Sequence, residues 1–163
     1  IFGADAPDSD RFPLLIKILD ACDTLSLQVH PPVSEAAALH GEPKTEMWVI
    51  AGAAPDARLY AGVKPGVTRD SFAAALADGT AASLVPELPV QEGDFIFIPS
   101  GRLHAIGAGL LIFEIQQNSD TTYRVFDWNR MGLDGRPRAL HVAESLRCID
   151  FTDTAPANGR ACT

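Results

Sequence analysis

A short apolar segment closed by a Pro-x-Gly turn, from Gly93 to His104, constrains the fold of this chain more than any other feature. Gly93 opens the apolar run 95–98, the turn 99–101 closes it, and His104 stands at the start of the next apolar run. Apolar runs of this length between turn residues indicate two β-strands joined by a tight turn. Such a turn directs the imidazole of His104 into the mouth of a β-barrel, where it can bind a metal ion.

Short apolar runs separated by turn residues continue along most of the chain. They predict strands at 14–19, 25–30, 46–50, 58–62, 95–98, 103–106, 110–116 and 122–128. Short strands at such regular spacing are typical of a β-sandwich or barrel. Helices are predicted at 34–40 with Ser34 as the N-cap, at 68–77 with Thr68 as the N-cap, and at 139–148. The tail after Phe151 is predicted to be poorly ordered.

Composition narrows the class of protein. The chain has 163 residues, of which 47% are hydrophobic, and this suits a single domain over 1–163 with a sizeable core. Its start at Ile1 rather than Met leaves open that it is a fragment of a longer chain. The net charge of -8 and the lack of any basic run argue against nucleic-acid binding.

The sequence also bears on the compartment. No apolar run is long enough to span a membrane, and no secretory signal is visible at the N-terminus. Cys22, Cys148 and Cys162 are widely spaced, which predicts reduced thiols rather than a disulfide framework or a cysteine-based zinc site. We therefore expect a cytoplasmic protein without a membrane partner.

Two further segments carry the side chains that a metal site at His104 would need. Gln28 and His30 are two residues apart in a predicted strand, so they share one face, and Glu46 opens another strand. Two imidazoles, a carboxylate and an amide oxygen suit Zn²⁺ or another borderline divalent ion. His30 alone fits a core or surface histidine better than a ligand, so the prediction depends on the whole set. The other two histidines are predicted to lie on the surface: His40 and His141.

Glu114 and Arg124 flank a predicted hairpin loop at 118–120. Counting back from this loop, Glu114 faces Arg124 on an adjacent antiparallel strand, close enough for an ion pair. An exposed pair of this kind contributes little stability, but Glu114 follows an apolar run, which indicates a cavity. Lys17 and Lys44, each of which alone fits a solvated lysine, would make such a cavity attractive to an anion, and phosphate is the natural guest.

Together these segments resemble the type I phosphomannose isomerases, a metal-dependent family in the cupin superfamily. The resemblance runs from about Arg11 to about Phe151. Residues 93–104 match the second cupin motif, with Ala108 where that motif usually has Asn, and residues 25–31, 44–48 and 114–124 resemble the family's own signatures. The resemblance implies a mainly β fold, a cupin-type jelly-roll barrel with a few short helices.

The resemblance also implies roles for particular residues. It implies that one Zn²⁺ is bound by Gln28, His30, Glu46 and His104. It implies a sugar-phosphate pocket lined by Lys17, Ser26, Lys44, Glu114 and Arg124, with Ser26 near the phosphate. Catalytic roles are expected for Arg124, Lys44 and Glu114.

The expected function is therefore that of an aldose–ketose isomerase that interconverts mannose 6-phosphate and fructose 6-phosphate. Two alternatives stay open. His30, Glu46 and His104 also form a two-His-one-carboxylate set that suits the Fe(II) of a dioxygenase, and some cupins only bind sugars. The basic residues and a fourth ligand from Gln28 favour the isomerase, because an oxygenase needs neither.

Overall fold

A computed structural model describes residues 11–132, 135–154 and 156–160, and within them the chain forms ten strands and three short α-helices. The strands are β1 (Leu14–Ala21), β2 (Leu27–Val29), β3 (Glu46–Ala53), β4 (Arg58–Ala61), β5 (Glu87–Pro89), β6 (Asp94–Ile98), β7 (His104–Ile106), β8 (Leu110–Gln117), β9 (Tyr123–Phe126) and β10 (Gly159–Arg160). The helices are α1 (Val33–Ala36), α2 (Arg69–Ala77) and α3 (Val142–Cys148), with 3₁₀ turns at Ala37–Leu39 and Ala81–Leu84.

The strands form two antiparallel sheets. Sheet I has the order β1-β8-β3-β6-β10, and sheet II has the order β5-β4-β7-β2-β9. Their inner faces meet in one apolar cluster, which joins Trp48 and Ile112 of sheet I to Leu59 and Ile106 of sheet II. The mainly β, cupin-type jelly-roll fold predicted from the sequence is confirmed.

Helices cover the outer face of sheet II. Leu27 and Val29 of β2 pack in a second buried cluster together with Phe72 of α2 and Cys148 of α3. Odd-numbered residues of β2 therefore belong to this outer core, and Gln28 faces the other way, into the barrel. Among the described residues, no helix is long and apolar enough to cross a bilayer.

The first two helices differ in how they begin. The helix α2 starts directly after Thr68, as predicted, and Thr68 and Ser71 exchange reciprocal capping hydrogen bonds. The helix α1 starts at Val33, one residue earlier than predicted, and its N-cap is Pro32 rather than Ser34. The extended backbone of Pro32 leads directly into the helix, so Ser34 lies inside the first turn and caps nothing.

The third helix begins later than predicted, at Val142, because the residues before it run beside β9. The backbone N–H of His141 donates to the carbonyl of Arg124, so residues 139–141 cannot join the helix. His141 is half-buried by this contact, so it is less accessible than a fully exposed surface residue. His40, in contrast, is exposed as predicted.

Each predicted strand is present with shifted ends, and two further short strands were missed. One is β5, which pairs with β4, and the other is β10, which pairs with β6. The second of these contradicts the prediction of a poorly ordered tail, because Asn158 and Arg160 both donate to the buried carboxylate of Asp94. Cys162 lies outside the described residues.

Asp127, just after β9, holds the segment that follows this strand. It accepts hydrogen bonds of 2.6 Å from Nε and Nη2 of Arg138 and one of 2.7 Å from Arg130. The Arg138 bonds are the main reason why the pKa of Asp127 falls from 3.8 to about 2. Because the folded pKa lies below the unfolded value, this carboxylate contributes stability above about pH 4 that is lost as the pH falls toward 2.

As the pH falls from about 5 to about 2, protonation of Asp127 should lower the free energy of unfolding by about 1–2 kcal/mol. The effect is no larger because Arg138 is partly solvated and its charge is screened. Asp127→Asn should remove this part of the pH dependence. Arg138→Gln should remove most of the same pH dependence. The double variant should remove no more of it than Asp127→Asn alone. Urea unfolding followed by tryptophan fluorescence at each pH measures the effect. A wild-type pH dependence in Asp127→Asn would contradict the assignment.

The outer face of sheet I is apolar and exposed. Two rows cross four strands in register, one of Ile16, Ile115, Met47 and Phe97, and the other of Ile18, Phe113, Val49 and Phe95. Ile16 and Ile18 are 64% and 68% exposed. A solvated face of an antiparallel sheet normally carries polar residues, and contiguous apolar patches are rare on monomers. Sheet I therefore has apolar residues on both faces.

We expect Ile18→Lys to reduce the concentration-dependent association of the purified chain, because the charge interrupts the apolar rows on an edge strand. Val33→Lys is the matched control, since Val33 is 78% exposed but lies on α1, away from this face. Static light scattering over a concentration series measures both. Equal effects of the two substitutions would mean that the face has no special part in association.

Candidate functional site

Three buried side chains from both sheets meet inside the barrel: His30, Glu46 and His104. His30 follows β2, His104 opens β7 beside it in sheet II, and Glu46 opens β3 in sheet I. Oε1 of Glu46 lies 3.4 Å from Nε2 of each imidazole, and potential ligand atoms of all three residues lie within 4.8 Å of one another. The structure thus brings together three of the four predicted metal ligands.

Backbone carbonyls orient both imidazoles. Nδ1 of His30 lies 3.0 Å from the carbonyl oxygen of Thr121, and Nδ1 of His104 lies 2.8 Å from that of Arg102. Because a carbonyl only accepts, Nδ1 carries the proton in each ring and Nε2 presents a lone pair. These bonds hold both lone pairs toward Glu46.

The facing atoms have no hydrogen-bond partner within the described residues. This holds for Nε2 of His30, Nε2 of His104 and both carboxylate oxygens of Glu46. Lys44 Nζ lies 3.2 Å from Oε2 of Glu46, which is an ion-pair distance without hydrogen-bond alignment. Buried polar atoms without partners are rare in native proteins, and a group of four in one place indicates a site that could bind a ligand such as a metal ion.

Burial and neighbouring charges set the ionisation of the cluster. Burial, together with the nearby His30, lowers the pKa of His104 to about 3, so that this imidazole is neutral near pH 7. Burial would raise the pKa of Glu46, but its contacts with His30, His104 and Lys44 outweigh burial and lower that pKa to about 2. A neutral imidazole and an ionised carboxylate are the forms in which these groups bind metals.

Gln28 lies in register with His104 on one side and with Arg124 on the other. Directly opposed residues of antiparallel strands project from the same face of a sheet. Gln28, His104 and Arg124 therefore form a row across sheet II, and Gln28 is half-buried in the middle of it. This position suits a fourth ligand, and ligation by Gln28 stays a prediction.

Across the barrel, sheet I presents Glu114. Lys17 faces it from β1, with Nζ 2.8 Å from Oε1, and Trp48 faces it from β3, with Nε1 donating to Oε2 at 3.2 Å. Both carboxylate oxygens are thus engaged, although Glu114 is only 5% exposed. The prediction that Glu114 lies in a cavity with Lys17 is consistent with this arrangement.

Two residues of the site were not predicted from the sequence, Gln116 and Trp48. Gln116 lies opposite Glu46 in register and accepts a hydrogen bond from Lys17. The rings of Trp48 and His104 form a T-shaped contact, with ring centroids 5.4 Å apart. Each is two residues from a predicted site residue on the same strand, and this spacing was the signal that could have identified both.

The prediction that Glu114 and Arg124 face each other is wrong. Glu114 is on β8 in sheet I, whereas Arg124 is on β9 in sheet II, where it pairs with Gln28. The two residues therefore approach the site from opposite walls of the barrel, and no ion pair joins them in the structure described here. The carboxylate and the guanidinium thus belong to different sheets, and not to the two strands of one hairpin.

The cause of the wrong register lies at residues 118–121. The ladder between β1 and β8 does not stop at a turn, because the N–H of Asn118 donates to the carbonyl of Pro13. Beyond it, Ser119 and Thr121 bond to the backbone of Glu42, and the chain crosses from sheet I to sheet II. The residues predicted as a hairpin loop are therefore a crossing segment between the two sheets.

The remaining predicted residues have different environments. Lys44 is 5% exposed beside Glu46, and Ser26 is 7% exposed just before β2. Nη1 of Arg124 donates to the carbonyl of Ala139 at 2.9 Å. Nε of Arg124 is buried and has no hydrogen-bond partner among the described residues. Arg124 is thus held from one side and retains unused donors.

Comparison with known proteins finds similarity to one enzyme family. A family model described as "Phosphomannose isomerase type I, catalytic domain" matches residues 3–46. The mannose-6-phosphate isomerase of Streptococcus mutans is 44% identical over 151 residues, which are 92% of this chain and 47% of the relative. That of Bacillus subtilis is 44% identical over 146 residues, which are 88% of this chain and 46% of the relative.

The fold agrees with this relationship. The crystal structure of the mannose 6-phosphate isomerase from Bacillus subtilis matches with a TM-score of 0.80 and 36% identity, over 88% of this chain and 46% of that one. The chain spans about half the length of the curated relatives it matches. Sequence similarity, fold and the buried His–Glu–His cluster agree, and all three relate this chain to the type I phosphomannose isomerases.

Proposed function

We propose that this chain forms the catalytic cupin unit of a mannose-6-phosphate isomerase, which interconverts mannose 6-phosphate and fructose 6-phosphate. The observation that carries the proposal is the buried cluster of His30, Glu46 and His104, whose facing atoms lack partners among the described residues. The choice of reaction follows the relatives from Streptococcus mutans and Bacillus subtilis. Both are named mannose-6-phosphate isomerase, and each is 44% identical to this chain over the matched residues.

The cluster is proposed to hold one Zn²⁺ through Gln28, His30, Glu46 and His104. The donor set fits the ion, because two neutral imidazole nitrogens, one carboxylate and one amide oxygen suit a borderline divalent metal. The two Nε2 atoms have no hydrogen-bond partner among the described residues, and the Nδ1–H bonds of the two rings already align them. A bound divalent ion would polarise or template the oxygens of the sugar.

The phosphate is proposed to be recognised by Lys17, Ser26, Lys44 and Arg124. Of the three cations, Lys17 already faces Glu114 and Lys44 already faces Glu46. Among the described contacts, the side chain of Arg124 bonds only a neutral carbonyl, so its charge is the one that no carboxylate offsets. An incoming anion would therefore gain most from Arg124, whose guanidinium also suits bidentate binding of phosphate oxygens.

The reaction moves one proton between C1 and C2 of the sugar and a second proton between the neighbouring oxygens. Negative charge develops on those oxygens in the enediol-like intermediate. Arginine stays protonated near neutral pH, so Arg124 is assigned to stabilise this charge, with Lys44 beside Glu46 in support. Glu114, a buried carboxylate held by Lys17 and Trp48, is proposed to shuttle a proton.

The same His–Glu–His set would suit the Fe(II) of a dioxygenase, and this is the main alternative. The basic residues around the cluster and the named relatives favour the isomerase. We further propose that the protein acts in the cytoplasm, where the free thiols of Cys22 and Cys148 would stay reduced. One cupin unit over 1–163 remains our proposal for the domain organisation.

A coupled assay with mannose 6-phosphate tests the function. Purified protein should convert the substrate, lose activity after treatment with a chelator, and regain it when Zn²⁺ is added. Activity that resists chelation would contradict the role of the metal. Failure to convert mannose 6-phosphate in protein that demonstrably contains one Zn²⁺ per chain would contradict the isomerase proposal itself.

A further inference from the structure

We infer that a short segment, Arg138–His141, positions the guanidinium of Arg124, and that the imidazole of His141 is the side chain through which it acts. We call this segment the strap. The inference rests on the proposed function, in which Arg124 stabilises charge on the substrate. It assigns His141 as a positioning residue rather than a catalytic one, since His141 contacts Arg124 and not the reacting atoms.

His141 supplies the hydrogen-bond partners of both the backbone N–H and the backbone carbonyl of Arg124. The strand β9 is the last strand of sheet II, so one side of its backbone has no neighbouring strand in the part of the chain that the structure describes. There, the N–H of Arg124 donates to Nδ1 of His141 at 3.1 Å, and the carbonyl of Arg124 accepts from the N–H of His141 at 2.8 Å. One residue thereby takes the place of a paired strand at this position.

The strap also holds the side chain of Arg124. The carbonyl of Ala139, two residues before His141, accepts from Nη1 of Arg124 at 2.9 Å. The backbone and the guanidinium of Arg124 are therefore tied to the same four-residue segment. Displacement of the strap would move the Ala139 carbonyl and leave the guanidinium without this anchor.

Both ends of the strap are fixed. At one end, Arg138 forms two hydrogen bonds of 2.6 Å to Asp127. At the other end, the carbonyl of His141 accepts from the N–H and the hydroxyl of Ser145 at the start of α3, at 2.9 and 2.6 Å. The imidazole of His141 makes no capping bond to α3, so its side chain can be changed without removing a helix cap.

The contact imposes a definite state on the ring. Nδ1 accepts a hydrogen bond from a backbone N–H, so it must present a lone pair, and the proton of the neutral imidazole resides on Nε2. A side chain with an acceptor at the distance of Nδ1 can replace it, whereas one with an acceptor only at the distance of Nε2 cannot. Asn places its amide oxygen at the distance of Nδ1, whereas Gln places its amide oxygen at the distance of Nε2.

The kinetic test compares His141→Asn with His141→Gln. His141→Asn should keep kcat near the wild-type value, because its amide oxygen takes the place of Nδ1. His141→Gln should lower kcat on the order of tenfold with little change in KM, because a small misplacement of a charged group reduces turnover. If His141 is only structural, both variants lose thermal stability and His141→Gln keeps its kcat, which would overturn the inference.

A second measurement does not depend on activity. In ¹⁵N-labelled wild type, a scalar coupling across the hydrogen bond should join the backbone nitrogen of Arg124 to Nδ1 of His141, and it should vanish in His141→Gln. Absence of this coupling in the wild type would overturn the role of His141. If the coupling is present but metal-loaded wild type does not convert mannose 6-phosphate, the proposed function fails while the contact between His141 and Arg124 is supported.

Discussion

Replacement of Glu46 by Gln is expected to abolish the proposed binding of a divalent ion and with it the proposed isomerase activity. Glu46 is the only carboxylate in the cluster, and the imidazole of His104 is neutral near pH 7. The substitution therefore leaves the cluster without a negatively charged ligand for the metal. We expect the affinity for Zn²⁺ to fall by at least about 10²-fold, because even residues that only orient metal ligands cost about 10- to 100-fold when replaced.

Thermal and chemical unfolding give a readout of this change without any assay of activity. Free Zn²⁺ at about 1,000 times the dissociation constant should stabilise the wild type by about 4 kcal/mol. At the same concentration, Glu46→Gln should gain at most about 1.4 kcal/mol, since the ion is then at most about tenfold above its dissociation constant. Metal content measured by elemental analysis should fall in parallel.

Asp94→Asn is the matched control for loss of a buried carboxylate. Asp94 is 5% exposed on β6 of the same sheet, and its partners are Gln91, Asn158 and Arg160 rather than histidines. This variant should lose stability but keep its metal content and its response to Zn²⁺. Wild-type metal content in Glu46→Gln would show that the cluster of unpartnered atoms is not a metal site.

The parts of the site that sequence patterns predicted are those set by short-range geometry. Gln28 and His30 share a face because strand side chains alternate, and Lys44 lies beside Glu46 for the same reason. The cap at Thr68 likewise needs only the three residues that follow it. None of these features depends on which strands become neighbours in the sheets.

The parts that were predicted wrongly depend on distant pairings. Whether residues 118–120 form a hairpin is decided by Pro13, which extends the ladder of β1 beyond the expected turn. The contact between His141 and Arg124 joins residues 17 positions apart through a segment with no regular pattern. Local propensity carries no information about either contact, and tertiary context decides both.

Which face of β1 in sheet I points inward is a third feature that the sequence pattern does not predict. The length of the apolar run in β1 predicts a strand, but apolar residues stand on both of its faces, so the pattern does not say which face is internal. The structure turns Lys17 inward to Glu114 and leaves Ile16 and Ile18 exposed. The polar residue is inside because a buried carboxylate offers it a partner, an interaction that is not visible in the sequence of β1 alone.

Replacement of Arg124 by Ala is expected to lower kcat on the order of 10²–10³-fold while metal content stays unchanged. The reason is that Arg124 is the cation in the proposed pocket that no carboxylate offsets within the described residues, so its charge is available to the intermediate. Arg58→Ala is the matched control. Arg58 lies on β4, where its partner is the exposed Glu87, and its removal should leave kcat and KM unchanged.

Steady-state kinetics and a thermal melt on the same samples separate the roles that Arg124 could have. A higher KM at constant kcat would mean that Arg124 only holds the phosphate in the ground state, and unchanged kinetics in a stably folded Arg124→Ala would remove it from the mechanism. Arg124→Lys keeps the charge but not the planar fork, which must reach the carbonyl of Ala139 and the substrate at once. We therefore expect it to recover only part of the lost turnover, because a charge without its anchor is not held where the negative charge develops.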